Sequence, residues 1–373
     1  MIITRRQFIQ LSTLAGGGLL LSSCGATSPA VNEGNDGVMP EEGSPHKRTW
    51  MAFIASRAIW AEQQIPEVQR NLITVAQTIA KYEPVNMLVR QQDVERAMEL
   101  LAEHDTHHPI ELIEFEMNDL WMRDTAPAFV MNEAGEKTAV NFNFNGWGEK
   151  QAYALDAKIA DFVAESAGVE SVRSSLILEG GCFEVDGEGT AIMTESCIIN
   201  DNRNPDKSKQ AIETELKKQL GLDKIIWLKG VKGKDITDGH TDFYARFAKP
   251  GVVVVSRDMY EESYDYEVTR KNIALLESET DAAGNPLELV ILDTPWEINT
   301  TYGTHDFAAG YVGYYACNDA IIMQKFGDSQ ADKAAMDTLA ALFPARQIEQ
   351  IAIDGIASGG GTIHCATQQE PMG

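Results

Sequence analysis

Three helix-like stretches, "KSKQAIETELKKQLG", "YEVTRKNIALLESE" and "QADKAAMDTLAALF", begin near residues 208, 267 and 330. A spacing of roughly 60 residues constrains the fold more than any other feature, because a fixed period marks one supersecondary unit used repeatedly. Between the helices lie short apolar runs that read as strands: "GVVVVS", "LELVIL", "AIIMQKF" and "IEQIAI". The alternation is already present earlier. "IPEVQRNLITVAQTIAKY" puts Val68, Leu72, Val75 and Ile79 on one helical face behind Pro66, and "VNMLVR" follows as a strand. "QDVERAMELLAEH" and "ALDAKIADFVAESAG" are further helices, and "IELIEFEM" is a strand. Gly168 and Gly221 stand where helices should stop. The pattern gives an α/β fold with internal repetition. Periodicity alone does not distinguish a closed ring of repeats from an open sheet.

The first residues carry another signal. "MIITRRQFIQLSTLAGGGLLLSSCGA" joins two arginines, a phenylalanine and a short apolar run, the pattern of a twin-arginine export leader. The run is broken by glycines and too short to span a bilayer. "LSSC" resembles a lipobox, which would make Cys24 the lipidated first residue of the mature chain. The expected organisation is a leader over residues 1–23, a flexible tether over 24–46 and one domain over 47–373. Losing the leader's two arginines would take the net charge from -25 to -27. Such a charge disfavours nucleic acid and anionic membrane surfaces and concentrates small cations near the protein. The membrane would then be met through the lipid anchor alone, at the periplasmic or outer surface of the cell envelope. Oligomeric state is not legible, and a homo-oligomer is left open.

Four stretches place titratable residues among glycines, where strand packing has no use for them. They are "MNDLWMRDTAPAF", "LEGGCFEVDGEGT", "DITDGHTDFYARF" and "GGGTIHCATQQEP". Together they supply a thiol, a histidine flanked by acids, and further carboxylates. The set suits attack on a cationic carbon: a cysteine nucleophile, a histidine that carries protons, and paired carboxylates that grip a planar guanidinium. A free thiol has a pKa of about 8.5, so the site must favour the thiolate. Carboxylates work against that, whereas a bound cation or a protonated histidine works for it. His364 adjoins Cys365 but would point the opposite way on an extended chain, and is not taken as the base. His104, His107 and His108 have metal-ligand spacing, yet read better as a solvated helix end. There is no CxxC pair, so structural zinc has little support. Trp121 and Trp147 either stack on a cation or its alkyl chain, or pack in the core. Cys197 and Cys317 sit in apolar runs and read as buried thiols.

The order of the motifs "WMRDT.P", "EGG..EVDGEGT", "NRNP", "DGH.D...RF" and "GGG.IHC.TQQ" resembles the guanidine-modifying enzymes that comprise agmatine deiminases and bacterial peptidylarginine deiminases. The resemblance covers nearly all of the chain from about Thr49 onward. It implies a five-bladed α/β propeller of repeated ββαβ units, the pentein type. It also implies roles: Cys365 as nucleophile, His240 as acid and base, Asp124 and Asp242 holding the guanidinium nitrogens, and Glu179 orienting His240, with no metal or organic cofactor required. Three departures stand out: Ala126 where glycine is usual, "TWMAFIAS" without the usual proline, and Thr362 where asparagine is common. None removes a catalytic group.

The function expected from this resemblance is hydrolysis of agmatine to N-carbamoylputrescine and ammonia, through a covalent thiouronium on cysteine. The nearest rival is deimination of protein arginine to citrulline. A rival of another class is a non-catalytic surface lipoprotein that captures polyamine-like cations. The thiol argues against it, since a pure binding protein has no use for one.

Overall fold

The computed structural model describes residues 37–103, 106–298 and 307–373. Its first unit holds β1 (His46–Phe53), α1 (Ile65–Ile79), β2 (Val85–Val89), α2 (Val94–Leu101) and β3 (Ile110–Glu114). The second is β4 (Ala128–Met131), β5 (Lys137–Asn141), α3 (Ile159–Ala167) and β6 (Glu170–Arg173). The third is β7 (Phe183–Val185), β8 (Thr190–Thr194), α4 (Lys209–Leu220) and β9 (Lys224–Leu228). The fourth is β10 (Ala245–Lys249), β11 (Val252–Arg257), α5 (Tyr266–Leu276) and β12 (Glu288–Asp293). The fifth is β13 (Tyr315–Cys317), β14 (Ala320–Lys325), α6 (Ser329–Leu342) and β15 (Gln347–Ala352). In units two to five the first two strands pair antiparallel, and a helical crossover delivers the third strand parallel to the second.

The first unit lacks its own antiparallel partner, and the far end of the chain supplies it. Strand β16 (Gln368–Pro371) pairs with β1, setting Trp50 against Gln368 and Thr49 against Gln369. The last strand therefore completes the first sheet. This answers what periodicity left open: five ββαβ units follow one another and the chain closes on itself. Closure also covers an edge of β1 that would otherwise present unpaired backbone groups.

The helices form where the apolar period calls for them. On α1, Val68, Leu72, Val75 and Ile79 are all buried, with proline in the first turn. Helices α3 and α4 end on Gly168 (φ 72°) and Gly221 (φ 68°), left-handed caps that other residues adopt only with strain. Helices α4, α5 and α6 occupy the same place in consecutive units, which is why they recur at a fixed spacing. Among the described residues no helix is long and apolar enough to cross a membrane.

The N-terminal boundary differs from expectation. A flexible tether was expected through residue 46, but residues 37–46 are packed against the domain. Val38 and Met131 exchange backbone hydrogen bonds of 2.8 and 3.0 Å, and Met39 N donates to Leu220 O. Met39, Glu42 and His46 are buried. The physical reason is a buried seat for Met39 in the core of the second and third units and a set of cations waiting for Glu42. The leader, Cys24, residues 24–36 and His104 lie outside the described residues.

One recurring feature positions the site. Before its outermost antiparallel strand, each sheet receives the chain through a short turn: Met122–Thr125, Gly180–Cys182, Thr241–Phe243, Tyr311–Gly313, and the turn over residues 363–366. These turns bond to one another. Arg123 N donates to Cys365 O, Gly181 N to Asp124 Oδ1, Thr241 Oγ1 to Cys182 O, and His364 N to Gly313 O.

Candidate functional site

Four of the five turns carry the residues singled out from the sequence. Asp124, His240 and Cys365 line one cleft of about 230 Å³, with Trp60, Trp121 and Trp147 among its walls. Glu179 and Asp242 lie directly behind, both buried.

On one side stands His240. Its Nε2 is 3.1 Å from Glu179 Oε2 and its Nδ1 is 3.7 Å from Asp124 Oδ1. Burial alone would lower its pKa, but the Asp124 carboxylate and the Glu179 hydrogen bond outweigh burial and raise it to about 10. The ring is therefore protonated at neutral pH. Glu179 accepts from Arg203 Nε at 2.9 Å through both oxygens. Burial would raise Glu179, but Arg203 and His240 bring it down to about 2. Arg203 continues to Asp238 and to Thr237 O, so it fixes the far side of the histidine. Asp124 accepts from Gly181 N at 3.1 Å and from Trp147 Nε1 at 2.9 Å. Burial raises its pKa to about 6, with His240 pulling it down and Glu179 and Asp242 pushing it up.

On the other side stands the thiol. Cys365 Sγ is 3.5 Å from Asp242 Oδ2 and 3.4 Å from Thr362 Oγ1. Burial, then Asp242 and Asp124, push its pKa well above the ordinary thiol range. Burial works to raise Asp242 too, but the His364 hydrogen bond and charge hold it below the usual carboxylate value. Its Oδ2 accepts from His364 Nδ1 at 2.8 Å, and its Oδ1 is buried without a partner. The expected geometry of His364 needs correction. The chain turns over residues 363–366 instead of extending, so His364 and Cys365 both reach the same Asp242 oxygen. His364 nonetheless lies buried behind the cleft, turned toward Glu42.

Trp147 does more than line a wall. It is buried, donates to Asp124, and meets Phe144 edge-on at 5.0 Å. Its backbone sits at φ 56°, a left-handed conformation that costs a bulky residue about 1–3 kcal/mol. Trp121 donates to Asp119 Oδ2, which also receives Gln151, and its ring lies 6.2 Å from Trp60. Close approach explains the run of glycines before the thiol. A Cβ at Gly359 would fall 1.9 Å from the Trp60 ring, and one at Gly361 would fall 2.1 Å from Trp121. Gly181 is tighter in function: a Cβ there would sit 2.4 Å from His240 Nδ1 and 3.1 Å from Asp124 Oδ1.

Glu179, Cys182 and His240 offer donor atoms within 4.8 Å of one another, a spacing compatible with a metal ion. Arg203 already takes both Glu179 oxygens, and the Cys182 thiol donates to Oε2 at 3.1 Å. The set is better described as a satisfied ion pair. Cys182, Cys197, Cys317 and Cys365 are all free. Sequence reasoning gave no role to Arg203, Glu42 or Asp119. Arg203 was in view within "NRNP", where an arginine between two asparagines is an unusual choice for a core; Glu42 had no such signal.

With this geometry in hand, the comparisons are consistent. The family model for Porphyromonas-type peptidyl-arginine deiminase matches residues 38–371. The chain is 34% identical to an agmatine deiminase of Medicago truncatula over 367 residues, 89% of this chain and 96% of that protein. The solved agmatine deiminase of Enterococcus faecalis superposes with a TM-score of 0.85 at 31% identity, covering 93% of this chain and all of that one. A substrate-bound C. jejuni agmatine deiminase variant, at 24% identity and a TM-score of 0.79, shares the fold over 90% of this chain and 96% of its own.

Proposed function

The chain belongs to the Porphyromonas-type peptidyl-arginine deiminase family, and from that premise we propose that it hydrolyses agmatine to N-carbamoylputrescine and ammonia. The observation that carries the reading is the meeting of one buried thiol, a protonated histidine and the Asp124 carboxylate in a single cleft, with Asp242 directly behind the thiol. Asp124 and Asp242 receive the guanidinium nitrogens, Asp242 through its unpartnered oxygen. The arriving cation neutralises the carboxylate field that suppresses the Cys365 thiolate, so the thiol releases its proton to solvent as substrate binds and the nucleophile forms then. The thiolate adds to the guanidinium carbon. His240, protonated beforehand, gives its proton to the departing nitrogen, and ammonia leaves a thiouronium on Cys365. The neutral imidazole then takes a proton from water. Hydroxide adds to the same carbon, the thiolate is expelled as the C=O forms, and the hydroxyl proton replaces the one the thiol lost, so the site regains a protonated His240 and a neutral Cys365.

Ammonia release by the purified protein tests this, comparing agmatine, free arginine and an arginine peptide, with Cys365→Ala as control. Turnover of agmatine that disappears in the variant is the expected result. Tight agmatine binding without turnover would leave the cation-capture lipoprotein as the better account. Peptidylarginine is the second reading, and one observation favours it. A larger hollow of about 680 Å³ adjoins the cleft and shares Ile236, Phe243, Gly359 and Gly360 with it, which leaves room for more than a four-carbon amine.

Export and lipid attachment at Cys24 belong to the same proposal, supported by the leader's arginines and lipobox-like "LSSC". Cys24→Ala should move the protein from the membrane fraction to the soluble one. Equal partitioning of the two forms would remove the anchor from the account.

A further inference from the structure

Glu42 and His364 have no place in the chemistry above, yet both are buried and charged partners surround them. His364 Nδ1 lies 2.8 Å from Asp242 Oδ2, and Nε2 lies 2.9 Å from Glu42 Oε2 and 3.5 Å from Glu184 Oε1. A carboxylate oxygen only accepts, so both ring nitrogens carry hydrogen, and a ring with two N–H groups is a cation. Beyond Glu42 stand Arg123 Nη2 at 2.9 Å and Arg246 Nη2 at 2.7 Å. Ala316 N also donates to Glu42 Oε1 at 2.8 Å. With His364 charged, the three carboxylates of this cluster face three cations. Without it, one buried carboxylate would lack a counter-charge.

Through His364 the cluster reaches the side chain that faces the thiol. Asp242 Oδ2, which His364 holds, is the oxygen 3.5 Å from Cys365 Sγ. Holding Oδ2 leaves Oδ1 as the oxygen that meets substrate. The groups facing His364 are Asp242, Glu42 and Glu184, with Arg246 and Arg123 behind them. Those acting on Cys365 are Asp242, Asp124 and Thr362.

We infer that Glu42 and His364 are positioning residues: Glu42 keeps His364 as a fixed imidazolium, which pins Asp242 and offsets the carboxylate charge that opposes the Cys365 thiolate. The inference rests on the deiminase reading for the role of Asp242 in binding. Its electrostatic part concerns the thiol alone. Two effects follow. Loss of the imidazolium frees the Asp242 carboxylate to rotate, which weakens substrate binding. It also removes the positive neighbour of a suppressed thiol, which makes the thiolate harder to form.

The experiment uses the full chain and the variants His364→Gln, Glu42→Gln and Glu42→Asp. Gln at 364 keeps a donor toward Asp242 but no charge. The first readout is the pH dependence of Cys365 alkylation by iodoacetamide without substrate, followed on the Cys365 peptide by mass. In His364→Gln and Glu42→Gln the alkylation midpoint should rise by about one pH unit, or about tenfold slower reaction at a given pH below it. Glu42→Asp should return it toward wild type. The second readout is ammonia release from agmatine, where both charge-removing variants should raise KM as well as lower kcat. Thermal unfolding accompanies each variant. A uniform loss of stability and activity with an unmoved alkylation midpoint would reduce the cluster to a structural ion-pair network and overturn the inference. Should wild type release no ammonia from any guanidine, the deiminase reading falls, while the alkylation profiles still decide the charge effect.

Discussion

His240 and His364 invite comparison, because each is buried between carboxylates and backed by buried arginine. His240 is a wall of the cleft, with Arg203 two bonds away through Glu179. His364 lies behind it, with Arg123 and Arg246 beyond Glu42. The same kit of parts therefore serves two ends. In the proposed mechanism the ring that reaches the cleft gives away the proton its raised pKa holds, while the ring behind it acts only as charge between Asp242 and Glu42. On that mechanism, access to the reacting atoms, more than partner identity, is what separates a catalytic histidine from a positioning one.

The comparison breaks most visibly in turnover. His240→Asn should cost about 10³-fold or more in kcat for ammonia release, in line with loss of a general acid and base. If His364→Gln costs as much, the distinction between the two rings collapses. Next come the arginines. Arg203→Met leaves Glu179 buried with His240 as its remaining charged partner, and should lower the unfolding free energy by about 3–5 kcal/mol in urea titrations. Arg246→Met should do the same to Glu42 and Glu184, so unequal losses would rank the two clusters.

Gly181→Ala sharpens the His240 half alone. The new methyl meets His240 Nδ1 and Asp124 Oδ1, so kcat should fall tens-fold, a displacement of about an ångström being able to cost about 10²-fold. Kinetics and unfolding on the same sample would show whether stability changes far less. The smallest expected effect is in pH dependence. Substrate binding requires ionised Asp124, whose pKa is raised to about 6, so kcat/KM should decline as pH drops through that value. The Trp147 N–H favours the ionised form. Trp147→Phe should thus raise the Asp124 pKa further and shift the acid limb to higher pH by a fraction of a unit. A limb that stays in place would assign it to another group.

The helices were legible because apolar periodicity over 9 to 15 residues survives in local sequence, as α1 and α3 illustrate; β2, β3, β11, β12, β14 and β15 showed as apolar runs, whereas the parallel pairs β5–β6 and β8–β9 went unread. The antiparallel strands were not legible, since β7 and β13 have three residues each and no room for a pattern. The residues of the cleft were legible because titratable groups among glycines are costly unless used. Glu42 escaped because its reasons lie far along the chain: it receives Ala316 N across 274 positions, while its neighbours Glu41, Gly43 and Ser44 read as linker. His364 was misread for a local reason, the assumption of extended chain where Thr362 to Ala366 turns back on itself. The left-handed Trp147 had no signal in the local sequence, although it lies between two glycines that are also left-handed and its ring N–H meets Asp124.

The pairing of β16 with β1 has a consequence for the life of the molecule. Cys365 lies three residues ahead of that strand, and Arg123 N holds the cysteine carbonyl in place. A copy nicked or truncated ahead of Gln368 would leave its first sheet open and its thiol without a seat. On the proposed chemistry, damage and inactivity would then arrive together, because the order in which the strands are joined ties the first sheet to the thiol.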